Sequence, residues 1–438
     1  MSIAKMDKIF YVLKAEEYYD TKNVPDRDRQ FQNTKYRSLQ HDEFFDRDAE
    51  VHLWTRDSEM NDVLIRIKDF YYKIIIEIPD TNKNGSRLHT KDFYKRFSKY
   101  IKSLPNVRGC RTQKYFNYKL NRDEMFFEVD LRNSYTAKYF KQEFKNEVKE
   151  FNTQFHVHEY NQSLPLQFIA YNNLTFSGWI EMKDGQEVKD DEKISVCSRE
   201  FVCKSEDLQL VPEEEQPDIL VSPVILAYDL ECKSLTRTFP DPTKYEDEIM
   251  IISVSVSRKQ GEYKNYSFCL YGYHSDEPMD AEEIFAFDRE KDMLIAFQKF
   301  IQDVNPDIII GYNSDSFDNP YLIQRIYNYG MPLLNFSKLK NHEVKTKFKW
   351  RRDEPEDNDS ITRKYVHRER MDRAKEFFLI AGRMHLDVML YIMKNYTRFR
   401  SYSLDNMAKH FLKDKKDDVS FRDMCDAFLG YGKSPELN

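Results

Sequence analysis

Two apolar runs, each closing on acidic residues, constrain this chain more than any other feature of it. The first, VILAYDLE at 224–231, opens apolar and ends in Asp229-Leu230-Glu231. A continuous apolar run of this length reads as a buried strand. Residues two apart on a strand share a face, so Asp229 and Glu231 point one way while Leu230 points into the core. Two neighbouring carboxylates repel each other. A hard divalent cation, which carboxylate oxygens bind, is the usual reason for a fold to keep them side by side.

The second run, IIIGYNSDSFDNPYL at 308–322, reaches its acid by another route. The segment 307–310 is a short apolar strand and Gly311 breaks it. Asp318 then opens the amphipathic stretch NPYLIQRIYNYG, with Pro320 in the first turn of a helix and Gly330 where that helix stops. Asp318 therefore projects from a strand-to-helix junction, and the two runs put three carboxylates on elements expected to meet.

The order of these motifs resembles the amino-terminal part of a family B DNA polymerase of the eukaryotic delta-like or large DNA virus type, including its 3′→5′ proofreading exonuclease. Asp229 and Glu231 match the Asp-x-Glu of the family's first exonuclease motif, and Asn313, Phe317 and Asp318 match the Asn-x-x-x-Phe-Asp of the second. NLTFSGWIEM at 173–182, GRMHLDVM at 382–389, RSYSLDNMAKHFL at 400–412 and the FPDP segment at 239–242 extend the likeness. The family's third motif, Tyr-x-x-x-Asp, does not occur before Asn438, nor do the palm, fingers and thumb. Tyr402-Ser403-Leu404-Asp405 is one residue short of that spacing, and Asp405 reads as a cap on the helix NMAKHFL.

The resemblance implies hydrolysis of the terminal phosphodiester at a DNA 3′ end with two divalent ions, Mg2+ or Mn2+. Asp229 would bridge both ions, Glu231 would fix the one that activates water, and Asp318 would hold the other. With three acids in place of the family's four, the chain alone is expected to be a poor nuclease. Asn313 and Phe317 carry over as substrate-holding residues, although Phe317 reads equally well as helix-start packing. Asp387 sits in a strand-to-helix turn and reads first as a cap, while His385 and the His156/His158 pair read as structural. The implied partners are DNA (the primer 3′ end and the template), the polymerase palm, fingers and thumb in the same or a partner chain, and a sliding clamp. The contrasting reading is a non-catalytic DNA-binding subunit of a split polymerase. A stand-alone ribonuclease of the same superfamily would not need the amino-terminal part or NLTFSGWIEM.

Composition enters where partners are concerned. A formal net charge of −7 leaves no global electrostatic footprint for DNA, so contact must be local. The basic, aromatic-interleaved segment 345–375 is the candidate; acidic residues within it fit a solvated insertion as well. Six cysteines at 110, 197, 203, 232, 269 and 425 form no Cys-x-x-Cys pair, which argues against a zinc site and for a reducing compartment. The start MSIAKMDKIF has no apolar core and no run approaches transmembrane length. The chain reads as soluble, intracellular and without a membrane partner, working in the nucleus or at a viral replication site.

Two domains of α/β (α+β) class follow from the pattern. The segment SEDLQLVPEEEQPD at 205–218 is acidic and punctuated by prolines, and reads as the linker between an N-terminal polymerase domain at 1–215 and a C-terminally incomplete ribonuclease-H-like exonuclease domain at 219–438. In the first domain, strands and helices between 63 and 160 follow a β-α-β-β-α-β order, the ferredoxin-like arrangement shared by RNA-recognition modules. The RNA-module signature is absent from DEMFFEVDL, so this subdomain reads as structural. In the second, VILAYDLE, IMIISVSVS and YSFCLYGY read as a three-stranded meander. Helix 289–304, strand DIIIGYN, helix PYLIQRIYNYG, strand FFLIAGRMHLDV and further helices follow.

Overall fold

The computed structural model describes residues 8–19, 47–118, 120–236, 239–270, 283–332, 336–341, 380–396, 398–414 and 420–428. The basic segment 345–375 lies outside them. The chain divides into two compact units, residues 1–193 with 197–219, and residues 194–196 with 220–438.

The first unit holds strands β1 (Ile9–Tyr19), β2 (Ala49–Asp57), β3 (Asp62–Ile67), β4 (Tyr72–Glu77), β5 (Val107–Asn117), β6 (Arg122–Leu131), β7 (His156–His158), β8 (Gly178–Met182), β9 (Gln186–Glu187), β10 (Arg199–Cys203) and β11 (Leu208–Leu210), with helices α1 (Lys91–Ser103), α2 (Ser134–Lys145) and α3 (Leu164–Tyr171). The expected β-α-β-β-α-β order is β4-α1-β5-β6-α2-β7, and its strands form an antiparallel sheet in the order β5-β6-β4-β7. Helix α1 forms where Thr90 caps the Phe93 amide and buries Phe93, Phe97 and Ile101, four residues apart, as a helix with one apolar stripe must.

The face of this sheet away from the helices carries acids that are already paired: Glu128 with Arg111, Asp130 with Lys73 and Glu77 with His158. The aromatic rings on this face, Tyr115 and Phe126, pack on each other (centroids 5.9 Å), and Phe126 is buried. Helix α2 ends at Asn146, short of the 135–151 stretch that the sequence suggests; Val148 and Phe151 turn back into the core instead.

The other strands of this unit make a second sheet, ordered β11-β8-β1-β2-β3-β10-β9. Its edge corrects the linker reading. Leu208 is buried and pairs with Met182, so the first part of 205–218 is sheet, and the units divide at 219. The apolar Leu-Gln-Leu alternation outweighs the acidic flanks.

The second unit holds β12 (Ile225–Cys232), β13 (Ile249–Lys259), β14 (Glu262–Leu270), β15 (Glu283–Phe287), β16 (Ile308–Gly311) and β17 (Met384–Asp387), with α4 (Glu290–Val304), α5 (Asp318–Asn328), α6 (Val388–Asn395), α7 (Leu404–Phe411) and α8 (Phe421–Phe428). They form one sheet in the order β15-β14-β13-β12-β16-β17. β12, β13 and β14 are the expected antiparallel meander, and β16 and β17 run parallel to β12. This is the ribonuclease-H-like strand order, with β15 added in parallel at one edge. The sequence reading passed over β15, whose five residues offer only a brief alternation. Strand β17 is also shorter than FFLIAGRMHLDV suggests. Arg383 is buried in a turn before it, donating to the Phe336 carbonyl (2.8 Å) and to Asn305 Oδ1 (2.8 Å).

Helix α4 buries Met293, Leu294, Phe297 and Ile301 and stops at Asn305, whose left-handed backbone (φ 50°) turns the chain into β16. Asp307 fastens the start of the parallel pair: it accepts from the Val224 amide (2.8 Å) and pairs with buried Lys338 (2.6 Å). At α7 the cap is Ser403, accepting from the Asn406 amide, whereas Asp405 lies in the first turn and pairs with Lys409 (2.6 Å). This corrects the reading of Asp405 as the cap: the helix already begins at Leu404, so Asp405 lies inside its first turn and Ser403 takes the capping position. Among the described residues, no helix is long and apolar enough to cross a membrane.

Candidate active site

β12 alternates as its sequence requires. Leu226, Tyr228, Leu230 and Cys232 are buried, Asp229 is exposed and Glu231 half-buried on the opposite face. β16 pairs with β12 only as far as Ala227, where Ile310 faces it. Past that point the β12 edge has lost its neighbour. The Leu230 amide, between the two acids, donates instead to Asp318 Oδ1 (3.0 Å). Asp318 thus fills a vacated sheet position and brings its carboxylate to the Asp229–Glu231 pair.

The loop from β16 to α5 is built for this approach. A Cβ on Gly311 would lie 2.5 Å from the Ser314 Cβ, so only glycine lets the loop fold back this tightly. Asn313 takes a left-handed backbone (φ 60°), and its carbonyl accepts from the Ser316 and Phe317 amides. Asp387 locks the loop from β17. Its carboxylate accepts from the Asn313 (2.9 Å), Asp315 (3.2 Å) and Met389 (2.9 Å) amides, the last as the cap of α6. The cap reading of Asp387 is what the geometry gives.

Electrostatics record the crowding. The Asp318 carboxyl is 3% exposed, and its pKa is pushed up to about 7, by burial first and then by the charge of Asp229, with Glu231 adding less. The Leu230 amide pulls the other way. Asp315 is pushed up to about 6 by burial and by Asp387, and burial pushes His385 down to about 4. Among the described residues, no group of three or more His, Cys, Asp or Glu side chains is placed so that it could hold a metal ion. The donor chemistry at Asp229, Glu231 and Asp318 nevertheless fits a hard divalent cation. All three side chains are carboxylates, and their mutual repulsion is what such an ion would relieve.

Phe317 stands at the head of α5 with its ring tilted against Tyr321 (centroids 5.4 Å) and edge-on to Phe239 (5.3 Å). Phe239 is 71% exposed. Its FPDP turn is anchored from below by fully buried Arg325, which pairs with Glu290 and donates to the carbonyls of Pro242 and Tyr245. An exposed phenylalanine on a fastened turn beside the acids is a candidate contact that the sequence did not single out. The sequence marked FPDP only for its likeness to the family, and nothing in it placed that segment against Phe317.

The sequence model described as DNA polymerase family B, exonuclease domain, matches residues 155–407, more than half of the chain, and the chain belongs to that family. It is 32% identical over 268 residues to the DNA polymerase delta catalytic subunit of Oryza sativa subsp. japonica, covering 60% of this chain and 22% of that protein. Against the corresponding subunit of Candida albicans, identity is 25% with 89% of this chain and 35% of the relative covered. The DNA polymerase catalytic subunit of Human herpesvirus 8 type P (isolate GK18) is 31% identical over 62% of this chain and 25% of its own. The chain thus spans between about a fifth and a third of these relatives. In fold it resembles the family B DNA polymerase of the archaeon Pyrobaculum calidifontis, with a TM-score of 0.63 and 16% identity over 98% of this chain and 43% of that one.

Proposed function

We propose that the second unit is a 3′→5′ proofreading exonuclease and the first the N-terminal domain of a family B DNA polymerase acting in DNA replication. The observation that carries this reading is Asp318 bound to the Leu230 amide, which brings a third carboxylate to Asp229 and Glu231. These three residues would hold the divalent ions, Mg2+ or Mn2+. Two such ions supply an activated water and charge neutralisation at the leaving 3′ oxygen. The protein's own part is to hold the acids and the DNA end in register. Asn313 is set by the left-handed turn to offer its amide to the terminal nucleotide. Phe317 and Phe239 offer rings on which an unpaired terminal base can stack, a contact that suits any base and hence a frayed, mismatched end.

The test is polarity. The full chain is incubated with Mn2+ and a single-stranded oligonucleotide labelled at its 5′ end. The expected product is a slow ladder of labelled fragments losing one nucleotide at a time from the 3′ end, abolished by chelator. Internal cleavage, or release of the labelled 5′ nucleotide first, would overturn the reading.

A further inference from the structure

Beneath the acids lies a buried hydrogen-bond network that none of the motifs explains. The Tyr228 hydroxyl donates to Asn319 Oδ1. Tyr228 immediately precedes Asp229 and Asn319 immediately follows Asp318, so one bond ties together the neighbours of two of the three acids. The Asn319 amide nitrogen donates to Asp315 Oδ1 (2.9 Å) and to His385 Nε2 (3.0 Å). Chemistry fixes these directions. An ionised carboxylate only accepts, so the amide NH2 must face Asp315 and the carbonyl oxygen must face Tyr228. His385 Nε2 then accepts, which leaves its proton on Nδ1, 3.4 Å from Asp315 Oδ1. The ring is buried at the β17 edge, where a neutral imidazole is the favoured form. Asp315 is itself held through its backbone amide by Asp387. The network therefore joins β12, the loop before α5, α5 and β17 at one point.

We propose that Asn319 and His385 are positioning residues, which hold Asp229 and Asp318 at the separation that divalent-cation binding requires, His385 acting as a neutral acceptor that orients the Asn319 amide. This rests on the reading of Asp229, Glu231 and Asp318 as cation ligands. Asp318 and Asp229 repel each other, and without an ion present the two elements that carry them need a tie between them. Outer hydrogen bonds of this kind are worth about 10–100-fold in metal affinity.

The experiment is calorimetric titration of the full chain with Mn2+, alongside thermal melting in chelator. Asn319→Leu, close in volume, and His385→Leu should each weaken Mn2+ binding by about 10–100-fold. His385→Gln, whose amide oxygen still accepts, should bind within about threefold of the wild type, since the acceptor is what the network needs. Nitrogen-15 spectra of His385 should report protonation on Nδ1. Leucine variants that melt earlier but bind Mn2+ as tightly as wild type would reduce the network to a structural role and overturn the proposal, as would an Nε2-protonated His385. If Asn319→Leu fails to fold, the His385 pair decides alone. A wild-type chain that binds no Mn2+, or binds it unaffected by Asp229→Ala, overturns the ligand reading and this proposal with it. Binding that Asp229→Ala abolishes and Asn319→Leu leaves intact overturns this proposal alone.

Discussion

Replacing Asp229 and Glu231 together with alanine is expected to lower 3′→5′ cleavage by about 1,000-fold while DNA binding persists. The magnitude follows from the several kcal/mol by which bound divalent ions stabilise a phosphoryl transition state, about 4 kcal/mol being three orders of magnitude in rate. The same change should leave the fold intact. Both side chains stand on the outer face of β12, and the buried Tyr228, Leu230 and Cys232 between and beside them are untouched. No core cavity is opened and the repulsion on Asp318 is relieved, so the melting temperature in chelator should not fall. Rates measured on labelled 3′ ends, with binding measured on the same oligonucleotide, check both parts. Cleavage that survives the double change removes the site from these residues. Loss of cleavage together with loss of DNA binding and early melting would make the acids structural.

Replacing Asp318 with asparagine should stabilise the protein in chelator at pH 8. The wild-type carboxyl titrates near 7 in the fold against an ordinary value of 3.8. The folded form therefore holds a proton between those values that the unfolded form has released. Stability from this group is fully present below about pH 4 and is lost as pH rises through 7. At pH 8 the fold carries an ionised, buried carboxylate beside Asp229, and the shift corresponds to a cost of the order of 4 kcal/mol. Asparagine keeps an oxygen for the Leu230 amide and carries no charge. In a unit of this size the expected rise in melting temperature is roughly 8–16 °C at pH 8, shrinking toward pH 4. A functional site held against its own repulsion is where such gains occur. An equal or lower melting temperature for Asp318→Asn at pH 8 would mean that the three carboxylates do not burden the fold.

Much of this was legible from residue order. Period-two burial along VILAYDLE, the Gly311 break and the Pro320 helix start place three acids on the right elements, because each is a local rule acting on neighbours in sequence. Other features were not legible, for reasons that are also physical. The bond from the Leu230 amide to Asp318 exists because β16 leaves β12 after Ala227, and where two strands part is a tertiary outcome. The Tyr228–Asn319–His385 network spans residues 91 and 66 positions apart. A lone histidine in GRMHLDVM reads as structural until its partner is seen. Ser403 is the cap in place of Asp405 because the helix starts at Leu404, and Leu208 drew a proline-flanked acidic stretch into a sheet by burial. Except at the Ser403 cap, which is local, a long-range contact decided what residue order left open.

The most direct test of the account is anomalous diffraction at the manganese edge from crystals of the chain equilibrated with Mn2+. The account predicts a manganese peak bounded by the carboxylates of Asp229, Glu231 and Asp318. Crystals that carry manganese elsewhere, with no peak among those three residues, would contradict it.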